Sequence, residues 1–173
     1  MRLANLVWLV PAVTLLLGGC GDKAAQSVVM QPTGFHSDDE CHVCGMVITR
    51  FPGPKGQALN GSTQQVRKFC SASEMLSWWV QPENRQANLT LYVHDMGKSQ
   101  WDKPNDAHLI PAAQAFYVPA PDLPGAMGLS LGSFSDKQAA QQFAAAQGSE
   151  VLTLDEMVAR LSAAPGAAHH GHH

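Results

Sequence analysis

The sequence predicts an α+β protein in which two tandem ββαβ units combine small antiparallel sheets with packed short helices. Runs rich in β-branched and aromatic residues are separated by turns and by short stretches of helical periodicity. The order strand, strand, helix, strand occurs twice, with strand-to-helix steps at residues 69–72 and 134–137. Two unrelated halves of similar order are the alternative, because the two halves share little residue identity.

The first unit is expected over residues 38–106. Its predicted elements are, in order, a strand over 46–51, a turn over 52–56, a strand over 64–69, a helix over 74–80 and a strand over 89–96. The strand over 46–51 is rich in β-branched residues, the strand over 89–96 alternates, and Pro and Gly define the turn. Ser71 or Ser73 is placed to cap the helix.

The second unit is expected over residues 107–163. Its predicted elements are a strand over 115–118, a Pro/Gly loop over 119–128, a strand over 129–134, a helix over 137–146, a strand over 150–154 and a short helix over 156–161. Ser135 or Asp136 is placed to cap the longer helix, and Gly148 to end it.

The first 19 residues are typical of an export signal. Arg2 precedes an uncharged apolar run over residues 6–17, which is shorter than the roughly 20 residues that a membrane span needs. Residues 17–20, Leu-Gly-Gly-Cys, resemble a bacterial lipobox, in which cleavage precedes the Cys and its thiol is acylated. We therefore predict lipidation, such as palmitate, at Cys20. A cleaved signal with an incidental Cys is the alternative.

The predicted anchor sets the expected location of the chain. A multiply acylated Cys20 holds a protein stably at a membrane, and Gly21 after it favours the outer over the inner membrane, facing the periplasm. Residues 20–37 are expected to form a tether. Residues 164–173 are expected to form a disordered tail, whose His169-His170-Gly171-His172-His173 could scavenge metal or remain merely solvated.

Charge and cysteine content exclude some functions. The formal net charge is −3, from 11 basic and 14 acidic residues, with no basic patch, so nucleic acid is not an expected partner. With Cys20 acylated, Cys41, Cys44 and Cys70 remain. An odd number of thiols in an oxidising compartment leaves at least one free or bound to a metal.

The motif Cys44-Gly45-Met46 suggests a copper site. Cu(I) prefers thiolate and thioether sulfur. If Cys44 begins the predicted strand, its side chain and that of Met46 project from one face, while Gly45 lets another backbone approach the opposite face. Core packing is the alternative role for Met46.

The Cys41-x-x-Cys44 spacing admits other chemistry. Haem attachment is excluded because Gly45, not His, follows the second Cys. A thiol-disulfide oxidoreductase would place the pair at a helix start, whereas a strand is predicted here. A structural zinc module would need two more ligands, for which Cys70 and scattered His residues are available. A disulfide from Cys41 to Cys44 or Cys70 is also possible and would disable a copper site.

Further soft donors occur elsewhere in the sequence. His94 and Met96 are two residues apart on a predicted strand, and Met127 lies in the Gly-flanked loop Gly125-Ala126-Met127-Gly128. Packing in the core or in the loop is the alternative for the two methionines.

Several segments together resemble the NosL family, the copper-binding accessory lipoproteins of nitrous oxide reductase. They are residues 17–20, 39–46, 51–57 and 69–70. The family fold is a pair of ββαβ units, in agreement with the predicted duplication. By position, Cys44 and Met46 match the family's copper motif and Met127 matches a later family Met, whereas Cys41 and Cys70 do not carry over as ligands.

The resemblance implies a metallochaperone with no enzyme activity. It would bind Cu(I) in the periplasm and deliver it for assembly of the copper centres of nitrous oxide reductase. The implied handover partner is NosDFY, a membrane ABC transporter complex with a periplasmic subunit. We expect Cu(I) on the Cys44 thiolate, with Met46 and Met127 as weaker donors. The alternatives are a thiol-disulfide oxidoreductase using Cys41 and Cys44, and a structural zinc module.

Overall fold

The structure is a computed structural model that describes residues 30–163. The predicted signal peptide, the lipidation site Cys20 and the His-rich tail lie outside the described residues. No helix within residues 30–163 combines the length and the apolar character that crossing a membrane requires.

The first half contains a four-stranded antiparallel sheet. Its strands are β1 (Gly56–Asn60), β2 (Gln65–Phe69), β3 (Leu89–His94) and β4 (Leu109–Pro111), in the spatial order β2-β1-β3-β4. Helices α1 (Ala72–Trp79) and α2 (Pro82–Arg85) lie between β2 and β3 in the chain. This half therefore has the predicted ββαβ order, to which β4 adds an edge strand beside β3.

The second half contains a smaller sheet. Strands β5 (Phe116–Pro119) and β6 (Leu131–Phe134) pair antiparallel, and helices α3 (Lys137–Gln147) and α4 (Leu154–Ala163) follow them. Small antiparallel sheets packed with short helices confirm the predicted α+β class.

One apolar core joins elements from both halves. Its fully buried side chains include Phe69 of β2, Met75 and Leu76 of α1, Tyr117 of β5 and Met157 of α4. Helix α1 packs against α4 and against the first sheet. Because residues distant in sequence share this core, the segments that surround α1 are held in fixed positions.

The prediction of a strand over residues 46–51 is wrong. Val47 forms only an isolated bridge with Glu40, and Ile48–Arg50 is a 3-10 helix. The first strand of the sheet is instead Gly56–Asn60, which pairs with both β2 and β3. The segment after the Pro/Gly turn is therefore a central strand, paired on both edges, although it contains a Gly and the polar Gln57.

Buried polar contacts explain how this unlikely segment becomes the central strand. The Gln57 amide accepts a hydrogen bond from Thr33 N at 3.0 Å and donates one to Thr33 O. Residues 30–37, at the end of the expected tether, are thus hydrogen-bonded to the sheet. A buried polar side chain is tolerated when its partners are supplied in this way.

The loop before β1 is organised by the buried Lys55. Its Nζ donates to the carbonyl oxygens of Phe51, Pro52 and Gly53 at 2.6, 3.0 and 2.9 Å, and burial lowers the pKa of Lys55 to about 8. The loop in turn accepts a hydrogen bond from Ala72 N at Pro54 O, 2.9 Å. These contacts hold the loop against the start of α1.

In the second half the prediction of a strand over residues 150–154 is also wrong. Leu152 alone pairs, through an isolated bridge to Tyr117 with N···O distances of 2.7 and 2.8 Å. Helix α4 begins directly afterwards, because the Thr153 hydroxyl accepts from Glu156 N while the Glu156 carboxylate accepts from Thr153 N. The remaining strands and helices of this half agree with the prediction to within two residues.

Candidate metal centre

The Cys-x-x-Cys segment forms a tight turn rather than the start of a strand. Gly45 N donates to Cys41 O and Cys41 N donates to Met46 O, both at 2.9 Å. Gly45 has φ +70°, and nothing lies within 4 Å of the position that a Cβ would take. The glycine is therefore needed for its left-handed backbone and not for close approach of another chain. Cys44 and Met46 therefore do not share a strand face, and that prediction is wrong.

The turn is held against the first sheet. His42 N donates to Lys68 O of β2 at 2.8 Å, and Ile48 N donates to Asp39 O at 2.9 Å. The Lys68 ammonium also pairs with the Asp39 carboxylate at 2.5 Å. These contacts hold the turn beside the end of β2.

Replacing Gly45 by Ala should destabilise this turn. A residue with a Cβ at φ +70° pays a steric penalty, so we expect the free energy of unfolding to fall by about 1 kcal/mol. Gly45→Asn is the matched control, because Asn tolerates this backbone better. Urea denaturation followed by circular dichroism measures the difference. Equal stability of Gly45→Ala and the unchanged chain would contradict this account of the turn.

The end of β2 and the start of α1 face this turn. Cys70 follows the last residue of β2, and Ser71 caps α1 by accepting a hydrogen bond from Glu74 N at 3.1 Å. Glu74 is therefore in the first helical turn, where a carboxylate is favoured by the helix dipole. Its side chain is directed at the cysteines.

Four donor groups meet at this point. The Sγ atoms of Cys41, Cys44 and Cys70 and a carboxylate oxygen of Glu74 all lie within 4.8 Å of one another. One oxygen, Glu74 Oε2, lies 2.6 Å from Cys70 Sγ, 3.5 Å from Cys41 Sγ and 3.9 Å from Cys44 Sγ. Cys44 Sγ and Cys70 Sγ are 3.8 Å apart. We call these four residues the thiol cluster.

The thiol cluster favours one negative charge shared among its members. Hydrogen bonding from the Cys70 thiol lowers the pKa of Cys41, and that same hydrogen bond together with burial raises the pKa of Cys70. Burial raises the pKa of Cys44 and of Glu74. Ionisation of further thiols is disfavoured because it would place several negative charges close together. A cation that replaces the remaining thiol protons would neutralise these charges, so the cluster is suited to a soft, positively charged ligand.

The three thiols differ in accessibility. Cys41 and Cys70 are 3% and 0% exposed, whereas Cys44 is partly exposed. All three are free thiols within the described part of the chain. Cys44 is therefore the thiol that an incoming ion or protein meets first.

Met46 and Met127 have different positions relative to the thiol cluster. Met46 is partly buried in the turn itself, and Met127 is 60% exposed on the loop between β5 and β6. That loop lies near the cluster, because Ala126 and Leu129 line a small crevice together with Ser71, the neighbour of Cys70. The role of Met46 and Met127 as ligands stays a prediction.

His94 and Met96 are buried and contact other parts of the protein. His94 is 1% exposed; its Nδ1 accepts from Lys55 N, and its Nε2 lies 3.0 Å from an oxygen of the Asp106 carboxylate. Met96 packs in a second apolar cluster beneath α3. With both ring nitrogens of His94 in use, the thioethers of Met46 and Met127 are the better candidates to complete a sulfur site.

The buried His94 should make the fold sensitive to acid. Burial lowers the pKa of His94 below its ordinary value of 6.5, although the hydrogen bond to Asp106 opposes the shift. The unfolded chain then takes up this proton at a higher pH than the folded chain. Stability should therefore decrease as the pH falls below about 6.5.

Urea denaturation at pH 7.5 and pH 5 measures this dependence. His94→Gln should be less stable at pH 7.5 but should lose less stability between the two pH values, because it removes the titrating ring. A variant with the same slope as the unchanged chain would show that His94 is not responsible.

The sequence predicts Cys44 as a site residue but not that Cys70 and Glu74 lie beside it. A usable signal was present, since Ser71-x-x-Glu74 has the spacing of a helix N-cap and places Glu74 one helical turn from Cys70. The pairing of that helix start with the turn around Cys44 depends on the sheet, which local patterns do not specify.

Comparison with known proteins agrees with the sequence resemblance. Residues 32–162 match the sequence model of the family described as NosL. The chain is 52% identical over 162 residues to the copper-binding lipoprotein NosL of Stutzerimonas stutzeri, covering 92% of this chain and 84% of the relative. It is 33% identical over 152 residues to the copper-binding lipoprotein NosL of Achromobacter cycloclastes, covering 86% and 78%.

A solved structure shows the same architecture. The crystal structure of the copper chaperone NosL from Shewanella denitrificans superposes with a TM-score of 0.69 at 42% identity. The match covers 73% of this chain and 94% of that protein.

Proposed function

Since the chain belongs to the NosL family, we propose that it is a lipid-anchored copper-binding protein that holds Cu(I) through the Cys44 thiolate and passes it on. The observation that carries this proposal is a partly exposed thiol at the edge of a cluster of three free thiols. Thiolate and thioether sulfur are the donors that Cu(I) selects over harder cations. The relatives are named as copper-binding lipoproteins and a copper chaperone, which supports a carrier role without catalytic turnover.

We assign Met46 and Met127 as thioether donors that supplement Cys44. Met46 is two residues from Cys44 within the same turn, and Met127 is exposed on a loop that packs near the end of β2. Thioethers bind Cu(I) more weakly than thiolates, so they stabilise the bound ion without closing the site. An incoming ligand can then replace them one at a time, and copper leaves by ligand exchange.

The receiving partner in this proposal is the NosDFY complex, through its periplasmic subunit, and the final destination is the copper centres of nitrous oxide reductase. An anchor at Cys20 facing the periplasm, in the outer membrane, would place the carrier on the side where export delivers it. The lipoprotein names of the relatives support the anchor. The family resemblance supports the partner.

Titration of Cu(I) into the reduced chain tests the proposal. A colorimetric Cu(I) chelator competes for the ion, and X-ray absorption on the loaded protein counts sulfur against nitrogen and oxygen neighbours. We expect one tightly bound Cu(I) with a sulfur-dominated first shell. Failure to compete with the chelator, or a shell dominated by nitrogen and oxygen, would reject the assignment.

A structural zinc site is the second candidate, and one observation favours it. The thiol cluster supplies four donors from Cys41, Cys44, Cys70 and Glu74, the number that structural zinc sites use. Removal of zinc should unfold such a module. A copper carrier should stay folded as apoprotein, so circular dichroism of the metal-free chain separates the two.

The thiol-disulfide oxidoreductase is less well supported. Residues 42–44 form a turn that leads into an isolated bridge and a 3-10 helix, so the pair Cys41 and Cys44 does not occupy the start of an α-helix. The stabilisation of a reactive thiolate by a helix N-terminus is therefore missing for this pair.

A further inference from the structure

We propose that Cys44 and Cys70 form a reversible disulfide that prevents copper loading, so that a protein dithiol must reduce the chain before it can accept Cu(I). This inference rests on the proposed function, because it concerns the same Cys44 thiol. It assigns a role to Cys70, which the copper motif does not include.

The geometry favours this pair of thiols. Cys44 Sγ and Cys70 Sγ are 3.8 Å apart, in direct contact, although 26 residues separate them in the chain. A disulfide requires the two sulfurs to approach to about 2 Å. The side chain of Cys44 lies in a surface turn, so the remaining movement falls on a partly exposed side chain and not on the buried end of β2.

Accessibility determines the order of events. Thiol-disulfide exchange begins when an accessible thiol loses its proton and attacks an external disulfide. The raised pKa of Cys44 slows this first step but does not transfer it to the two buried thiols. Cys41 and Cys70 are buried, so Cys44 is the thiol that can meet a disulfide carried by another molecule. The mixed disulfide formed at Cys44 then has Cys70 next to it as the resolving thiol.

Cys41 is the competing partner for Cys44, and its backbone disfavours the reaction. Cys41 closes the turn, because Gly45 N donates to Cys41 O and Cys41 N donates to Met46 O, both at 2.9 Å. A disulfide across this short loop would have to form within a backbone already fixed by both hydrogen bonds. Cys70 is outside the turn and places no such demand on it.

The reaction balances with a disulfide-bearing protein or small molecule as oxidant. The Cys44–Cys70 S–S bond forms and the S–S bond of the oxidant breaks. Two electrons and two protons pass from the two thiols to the oxidant, which leaves as a dithiol or as two thiols. A reduced dithiol partner reverses each step and returns Cys44 to the form that binds Cu(I).

The consequence for copper follows from the chemistry of Cys44. Its sulfur cannot serve as a thiolate donor while it is part of a disulfide. In a compartment that favours disulfides, bound Cu(I) would protect Cys44 from oxidation, and loss of Cu(I) would expose it. The empty carrier would then be held in a form that cannot take up copper until it is reduced.

Peptide mapping after treatment of the metal-free chain with oxidised glutathione tests the proposal. Trypsin separates Cys44 from Cys70 at Arg50, Lys55, Arg67 and Lys68, whereas Cys41 and Cys44 remain on one peptide. We expect a cross-link between two tryptic peptides that disappears with dithiothreitol, and a roughly tenfold or greater loss of Cu(I) uptake that reduction restores.

Two cysteine variants identify the bond. Cys41→Ser should still cross-link, which assigns the bond to Cys44 and Cys70. Cys70→Ser should instead retain glutathione on Cys44. A bond within the peptide that carries Cys41 and Cys44, loss of the cross-link in Cys41→Ser, or three thiols that stay free would overturn the proposal. If the reduced chain fails to bind Cu(I) but the cross-link forms, the proposed function fails while the redox site stands.

Discussion

Replacement of Cys44 by Ser should abolish tight Cu(I) binding by the reduced chain. Cys44 is the accessible thiol and contributes both to the Cys-Gly-Met motif and to the thiol cluster. A hydroxyl is a poor ligand for Cu(I), and the two remaining thiols are buried. We expect the affinity to fall by roughly two orders of magnitude or more, measured by competition with a Cu(I) chelator.

The comparison variants distinguish two arrangements of donors. If Met46 and Met127 complete the site, Met46→Ala and Met127→Ala should each weaken binding by roughly tenfold, and Cys41→Ser should have little effect. If Cu(I) lies inside the thiol cluster, Cys70→Ser should weaken binding far more than either methionine variant. Retention of tight binding by Cys44→Ser would contradict both arrangements.

Local signals determined which elements the sequence could predict. Strand β3 contains the β-branched residues Thr90 and Val93 within an apolar run, and helices α1 and α3 have the caps Ser71 and Asp136. Gly148 ends α3 as predicted, in the left-handed conformation at φ +58°. Each of these features depends on neighbours within a few residues, so one sequence is sufficient to identify it.

Strand β1 could not be predicted in this way. It follows two prolines, begins with a glycine and carries the buried Gln57. Its strand conformation comes from pairing with β2 and β3 and from the hydrogen bonds of Gln57 to Thr33. These partners are distant in sequence, and tertiary contacts of this kind override local propensity.

The same distinction applies to the candidate site. The Cys-Gly-Met motif is continuous, so the sequence alone can predict it as a site for a soft metal ion. Cys70 and Glu74 join Cys44 from 26 and 30 residues away. Their contact requires the turn to dock on β2, and no local pattern specifies that docking.

Replacement of Asp95 by Ala should produce the largest loss of stability among the changes considered. Asp95 is 1% exposed at the end of β3. Its Oδ1 accepts from Gly97 N at 3.0 Å and from Ser135 N at 3.2 Å, and its Oδ2 accepts from the Ser135 hydroxyl. The carboxylate therefore joins the first sheet to the corner between β6 and α3.

Two further hydrogen bonds join the two halves beside Asp95. Met96 N donates to Ser133 O at 2.8 Å, and the Ser133 hydroxyl donates to His94 O at 2.6 Å. Without the Asp95 carboxylate, the backbone N–H groups of Gly97 and Ser135 and the Ser135 hydroxyl lose their acceptor. Hydrogen bonds to a charged group contribute about 1.5–3 kcal/mol each, so we expect Asp95→Ala to lose about 3 kcal/mol or more in urea denaturation.

Two controls separate this role from a general effect of removing a carboxylate. Asp95→Asn retains one acceptor oxygen and should lose less stability than Asp95→Ala. Asp102→Ala removes an exposed acid nearby in sequence and should change the free energy of unfolding by less than about 0.5 kcal/mol.

The pH dependence provides an independent check on Asp95. Burial raises its pKa, but the hydrogen bonds from Ser135 and Gly97 outweigh burial, and the pKa is lowered below the ordinary 3.8. The stabilisation is therefore complete above about pH 4 and is lost as the pH falls through the lower pKa of the folded chain. Asp95→Asn should lack this part of the acid transition. If it follows the unchanged chain between pH 4 and pH 2, the carboxylate does not hold the two halves together as charge.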